Sequence, residues 1–126
     1  MLSDYTPAPT LATKDLASAR EFYEGVLGCT PMTDVAGGVM YSAGASQFLV
    51  YPSSFAGTNK ATYMAFQVPA EAFDSEVDAL RAKGIEFQTF EYPDVSWSNG
   101  VATIGEQRAV WFADPDGNII NLETPA

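Results

Sequence analysis

Chemistry in this chain has to proceed without imidazole, because none of its 126 residues is histidine. Histidine is the usual general base near neutral pH and the commonest metal-ligating side chain, so its absence removes whole reaction classes at the outset. The single thiol, Cys29, lacks the imidazole partner that ordinarily activates a cysteine, and a buried structural thiol is expected. One cysteine also excludes an internal disulfide and fits a reducing compartment. What remains is carboxylate, amide, hydroxyl and phenol chemistry. Its most informative stretch is Ala109 to Glu123, where two apolar runs flank Asp114-Pro115-Asp116-Gly117-Asn118. Polar Asn121 and acidic Glu123 interrupt the second run.

Composition limits the partners. Six basic against sixteen acidic residues give a net charge of −10. Phosphate backbones are held chiefly by Lys and Arg, so nucleic acid is not an expected partner. The acidity favours solubility and would draw a cationic ligand by long-range attraction. With 47% apolar residues and a mean hydropathy of −0.02, the chain reads as one globular domain, residues 1–126. No apolar run approaches the roughly 20 residues that cross a bilayer. Met1-Leu2-Ser3-Asp4-Tyr5 has neither the basic start nor the apolar stretch of a signal peptide. A cytoplasmic protein without membrane contact is expected.

The elements that must position these groups follow from local chemistry. Asp114 to Asn118 reads as a tight turn between two strands: proline presets φ, aspartate bonds its own downstream backbone, and glycine accepts positive φ. Upstream, Pro7 to Thr13 reads as a short strand. Asp15 is a good N-cap for an amphipathic helix carrying Leu16, Ala19, Tyr23, Val26 and Leu27 on one face, with Phe22 beside them and Gly28 as the stop. Strands follow at Thr30 to Val35, Val39 to Ser42 and Gln47 to Tyr51, separated by glycine turns. After a connector at Pro52 to Lys60 the pattern repeats. Ala61 to Val68 reads as a strand, and Glu71 to Lys83 as a helix with Phe73, Val77 and Leu80 in one stripe, ended by Gly84. The remaining strands are Ile85 to Phe90, then Val101 to Ile104 or Gln107 to Ala113, and finally Asn118 to Glu123. The two helix-stopping glycines, Gly28 and Gly84, lie 56 residues apart, as expected of a duplicated unit. The second half is longer, with its excess in Glu91 to Thr103, a loop holding Trp97.

The predicted architecture is α+β: two tandem βαβββ modules, about 5–52 and 61–126, forming a curved mixed sheet around a cleft with the helices outside. At this level the chain resembles the vicinal oxygen chelate superfamily, which includes glyoxalase I, extradiol dioxygenases, fosfomycin-resistance enzymes and bleomycin-binding proteins. The resemblance rests on Lys14-Asp15-Leu16 leading into Glu21-Phe22-Tyr23 and Val26-Leu27-Gly28, and on Trp111 to Asn118 at the other end. These motifs are a helix start, a helix face and a hairpin turn. They define a scaffold, and function must be argued from the site.

The resemblance also implies where a divalent metal would sit: on the first and last strand of each half, with His, Glu or Gln as ligands. The matching positions are Ala8, seven residues before Asp15; Tyr63, its counterpart in the second half; Asn121, seven after Asp114; and Leu49 or Tyr51. Alanine and leucine cannot ligate, and a neutral phenol is a poor donor to a hard divalent cation. The expectation is therefore a protein without metal or other cofactor. A shifted carboxylate site at Glu123 is the remaining metal alternative.

On this scaffold, strand alternation turns Ala8, Thr10 and Ala12 into the cleft, together with Tyr63, Ala65 and Gln67, and with Ile119, Asn121 and Glu123. Met64, Phe66, Val68, Ile120 and Leu122 face the helices. Small residues leave room in the cleft. Tyr51, Tyr63 and Trp97 or Trp111 supply aromatic walls, while Thr10, Gln67 and Asn121 orient a ligand by hydrogen bonds. Two functions are expected from this lining. The first is metal-independent sequestration of an aromatic or cationic natural product. The second is a metal-free isomerase or lyase in which Glu123 works with Tyr51 or Tyr63 as acid and base. Family resemblance further implies a homodimer with two clefts.

Overall fold

The computed structural model describes residues 1–35 and 37–125; Ala36 and Ala126, the latter the last residue of the expected second module, lie outside the described residues. After a 3-10 turn at Leu2–Asp4 the elements run β1 (Thr10–Thr13), α1 (Leu16–Arg20), β2 (Thr30–Val35), β3 (Gly38–Ala43), β4 (Ser46–Pro52), β5 (Thr62–Gln67), α2 (Ala70–Ala82), β6 (Ser96–Ser98), β7 (Val101–Ile104), β8 (Gln107–Ala113) and β9 (Ile119–Glu123). The fold is α+β with two mixed sheets, ordered β1-β4-β3-β2 and β5-β9-β8-β7-β6. Each sheet sets its first strand parallel to its last, β1 with β4 and β5 with β9, and the other pairings are antiparallel. The duplication therefore shows in topology as well as in spacing.

Two compact units result: Met1–Asn59 with Pro115–Asn118, and Lys60–Asp114 with the chain from Ile119 onward. The Pro115–Asn118 turn thus belongs to the first unit, although both strands that flank it belong to the second. Its chemistry explains the placement. The Asp116 carboxylate accepts from the Lys14 N–H at 2.8 Å, and the buried Asn118 amide donates to the Ala12 carbonyl at 2.9 Å. Gly117 holds φ at 82°, as the turn requires.

In the first unit Asp15 caps α1, accepting from the Ala17 N–H at 3.0 Å and the Ser18 hydroxyl at 2.9 Å. These bonds hold its carboxyl below the usual carboxylate range. A lowered folded-state pKa means the cap contributes fully above the unfolded value and loses its contribution as pH falls through the folded value. Asp15→Ala is therefore expected to lower the thermal midpoint at pH 7, and the deficit should shrink as the solution is acidified through that range. Melting curves of both proteins across an acid series test this.

Beyond α1 the helix widens into a π turn at Glu21–Val26, closed by the Leu27 N–H on the Phe22 carbonyl at 3.0 Å. Continuous α-helix to Gly28 was the expectation; the widened turn instead buries both Phe22 and Tyr23. Tyr23 packs with Tyr41 and Phe48 at ring-centroid separations of 5.8 and 5.5 Å, and those two rings lie 5.3 Å apart. The Tyr41 hydroxyl donates to Glu24 at 2.8 Å, and Glu24 also pairs with Arg20 at 2.9 Å. Burial pushes the Tyr41 phenol well above its ordinary pKa, so it is a structural donor. At Gly38 a Cβ would lie 2.5 Å from the Val50 carbonyl oxygen. Gly38→Ala should then cost about 1–3 kcal/mol through overpacking of the ladder, and a denaturation midpoint equal to that of the parent would refute it.

In the second unit α2 buries Phe73, Val77 and Leu80, the expected stripe. On β8 and β9 the residues Val110, Phe112, Ile120 and Leu122 are buried. The Arg108 guanidinium lies 4.5 Å from the Phe73 ring centre and pairs with Asp74, tying β8 to α2. Even-numbered residues of β8 thus face the helix, and Trp111 takes the other face.

Two expectations about this unit are corrected. Ile85 to Phe90 is not a strand: it makes a single bridge, the Gln88 N–H to the Trp111 carbonyl at 2.8 Å. Val101–Ile104 and Gln107–Ala113, posed as alternatives, are both strands. The segment starts tied to the end of α2, the Ile85 N–H donating to the Leu80 carbonyl at 3.1 Å, and beyond the β7 pairing at Gln107 to Ala109 it meets β8 only at Trp111.

Candidate functional site

Between Gln88 and Ala102 the chain takes fourteen steps to pass two steps of β8, from Trp111 to Ala109. The excess forms an excursion, expected to be an irregular loop but in fact containing β6. A two-residue Asn99-Gly100 turn, with φ of 50° and 78°, folds β6 back on β7. Positive φ at both central residues is the geometry that right-twisted hairpins favour. Arg81 of α2 donates to the Asn99 carbonyl and lies 5.3 Å from the Phe87 ring centre, which fixes the hairpin tip.

The excursion brings three rings together. Phe90 stands edge-on to Trp97 at 5.2 Å and to Trp111 at 4.9 Å, and the two indoles are 6.0 Å apart. Two hollows open around this cluster. One of about 490 Å³ is lined by Thr89, Phe90, Glu91, Tyr92, Val95 and Trp97. The other, about 370 Å³, is lined by Lys60, Ala61, Thr62, Gln88, Thr89, Phe90, Trp111 and Ile119. Both fall within the range of small-molecule sites. Removing the Arg81 anchor with Arg81→Met is expected to speed amide exchange across residues 95–102 while leaving the α2 amides protected. Hydrogen exchange resolved by residue checks this, and unchanged protection in the hairpin would refute it.

The residues singled out from the sequence are distributed over both units. In the first, Thr10 pairs with Leu49 and Ala12 with Tyr51, so Thr10, Leu49 and Tyr51 share a sheet face, opposite buried Leu11, Phe48 and Val50. The Thr10 hydroxyl is used locally, donating to the Ala8 carbonyl at 3.2 Å. A 240 Å³ hollow near Ala8 has neither an aromatic ring nor a charge in its lining.

In the second unit Asn121 sits between Ala65 and Trp111, and Glu123 between Gln67 and Ala109. Tyr63 falls in a bulge where the β5–β9 register shifts, so that Thr62, next to it, faces Ile119 across the ladder. Trp97 and Trp111 come together in the ring cluster. Phe90, on which both indoles pack, was not anticipated. The Asn-Gly dipeptide beside Ser96-Trp97-Ser98 is the sequence signal that would have placed the hairpin.

The positions matching the family's metal ligands do not fit a divalent cation. Ala8 offers no donor. Asn121 is buried, and its amide nitrogen donates to the Val110 carbonyl at 3.2 Å. Glu123 accepts from the Gln67 amide at 3.3 Å. Among the described residues no three His, Cys, Asp or Glu side chains converge as a metal group. Cys29 is half-buried, and burial pushes its thiol up, away from the nucleophilic thiolate.

Two sheets, built as βαβββ in the first unit and βαββββ in the second with β6 as the added strand, each with a parallel first–last pairing, define the class of scaffold. The chain belongs to the Glyoxalase/Bleomycin resistance protein/Dioxygenase superfamily, whose family model matches residues 7–122. Several solved structures share the fold. The fosfomycin resistance protein FosX from Listeria monocytogenes, complexed with Mn(II) and sulfate ion, aligns with a TM-score of 0.73 at 20% identity, over 97% of this chain and 90% of that one. A glyoxalase/bleomycin resistance protein/dioxygenase from Alicyclobacillus acidocaldarius gives 0.72 at 20% identity over 96% and 91%. Lactoylglutathione lyase from Agrobacterium tumefaciens gives 0.70 at 16% identity over 95% and 92%. No curated protein sequence matches the chain. Among the described residues no helix is long and apolar enough to cross a membrane.

Proposed function

We propose that this protein is a metal-independent small-molecule-binding member of the superfamily, which holds a planar aromatic ligand against the Phe90–Trp97–Trp111 cluster. The observation that carries the proposal is the cluster itself: three rings within 6.0 Å of one another, bordered by hollows of about 490 and 370 Å³. Offset and edge-on ring contacts stabilise a bound aromatic beyond simple area burial. The donor set supports metal independence, since alanine, a buried engaged amide and a phenol stand where the family places ligands. An acid–base role for Glu123 would need a phenol in reach, and what its carboxylate meets is the Gln67 amide. We also propose a homodimer, on the strength of the family resemblance.

Isothermal titration with 2-naphthol and a panel of aromatic antibiotics, together with thermal shift, tests the binding function. Saturable binding with a raised melting midpoint is expected. Absence of both across the panel would end the proposal. Elemental analysis of the purified protein tests the metal clause separately, with stoichiometric divalent metal as the refuting result. Sedimentation velocity tests the dimer.

A further inference from the structure

We infer that the larger hollow accepts an organic cation, so that the natural ligand is an aromatic molecule carrying an alkylated ammonium group. This deepens the proposed function and rests on it.

Three of the residues lining that hollow are aromatic: Phe90, Tyr92 and Trp97. The faces of such rings are electron-rich, and several rings beside one carboxylate make a favourable setting for a quaternary ammonium. Glu91 is the one charged residue of the lining, and no basic residue joins it. Lys60 lines the other hollow.

The basic side chains that already use rings are on different ones. Arg81 lies over Phe87 and Arg108 over Phe73, and among the described residues no guanidinium sits on Phe90 or Trp97. The rings also remain available, with Phe90 43% and Tyr92 67% exposed. A methylated ammonium fills only part of about 490 Å³, leaving space for a ring that continues along the shared Thr89–Phe90 wall toward Trp111. The net charge of −10 steers cations toward the molecule from a distance. That field is not selective; the rings and Glu91 supply the local recognition.

Three probes separate the possibilities by isothermal titration: choline, its uncharged isostere 3,3-dimethyl-1-butanol, and 2-naphthol. Choline is expected to bind about two- to fivefold more tightly than the isostere, the range that cation–ring attraction gives at an exposed site. The ratio should fall in Glu91→Gln and fall further in Glu91→Gln/Tyr92→Leu, which also removes one exposed ring of the lining, while the melting midpoint is retained. Equal affinity for choline and the isostere, or no choline binding, overturns the inference, and 2-naphthol binding in the same protein would then leave the aromatic reading intact. A choline preference undiminished in Glu91→Gln/Tyr92→Leu overturns it too, because the cation would be held elsewhere on the acidic surface. Choline binding without 2-naphthol binding sinks the aromatic reading and leaves the cation site standing.

Discussion

Trp111→Ala is expected to weaken 2-naphthol binding by about thirtyfold or more, the effect of losing a central aromatic anchor worth about 2 kcal/mol. Trp111 is the ring on which the smaller hollow is built, and it packs on both Phe90 and Trp97. Its removal takes away a stacking partner and also the support that orients the other two. The fold should persist, because the backbone of Trp111 keeps its ladder pairing with Asn121 and its bridge to Gln88. Calorimetric titration of the variant is the measurement. A loss smaller than threefold would place the 2-naphthol site away from Trp111.

One residue along the same strand the outcome reverses. Phe112 is 2% exposed and faces the helix side, with Phe87 edge-on at 6.3 Å. Phe112→Ala removes a buried ring and leaves a cavity, a change that costs about 3–5 kcal/mol. Against a total stability of about 5–15 kcal/mol, this is enough to bring many domains near the edge of folding. Chemical denaturation measures it, and a loss below about 1 kcal/mol would show that the strand is not registered as described. The two variants separate binding from folding with adjacent residues, because successive side chains leave a strand on opposite faces.

The parts of this architecture that are legible in the sequence are those set by local chemistry. Asp15 as a cap, the Phe73–Val77–Leu80 stripe and the Asp114 to Asn118 turn each carry their explanation within a few residues, and each appears where expected. The alternation on β5 also survives, with Met64 buried and Ala65 and Gln67 exposed. What was not legible depends on contacts between distant segments. Ile85 to Phe90 has strand composition, but it starts tied to α2 through the Ile85 N–H on the Leu80 carbonyl and reaches β8 only at Trp111. The π turn after Arg20 reflects packing of Tyr23 against Tyr41 and Phe48, which no periodicity encodes. In the candidate site Trp97 and Trp111 could be named in advance by type. Phe90 could not, since its place depends on the excursion and on the Arg81 anchor.

The turn at Pro115–Asn118 has a consequence for how the molecule is made. A ribosome delivers residues 1–59 early, yet the Lys14 N–H and the Ala12 carbonyl wait for Asp116 and Asn118 to emerge. During synthesis the first unit therefore lacks these hydrogen bonds until nearly all of the second has been translated. The order of translation and the order of structural completion are interleaved, and a nascent chain stalled before Pro115 should leave its early half more open to proteases than the released protein.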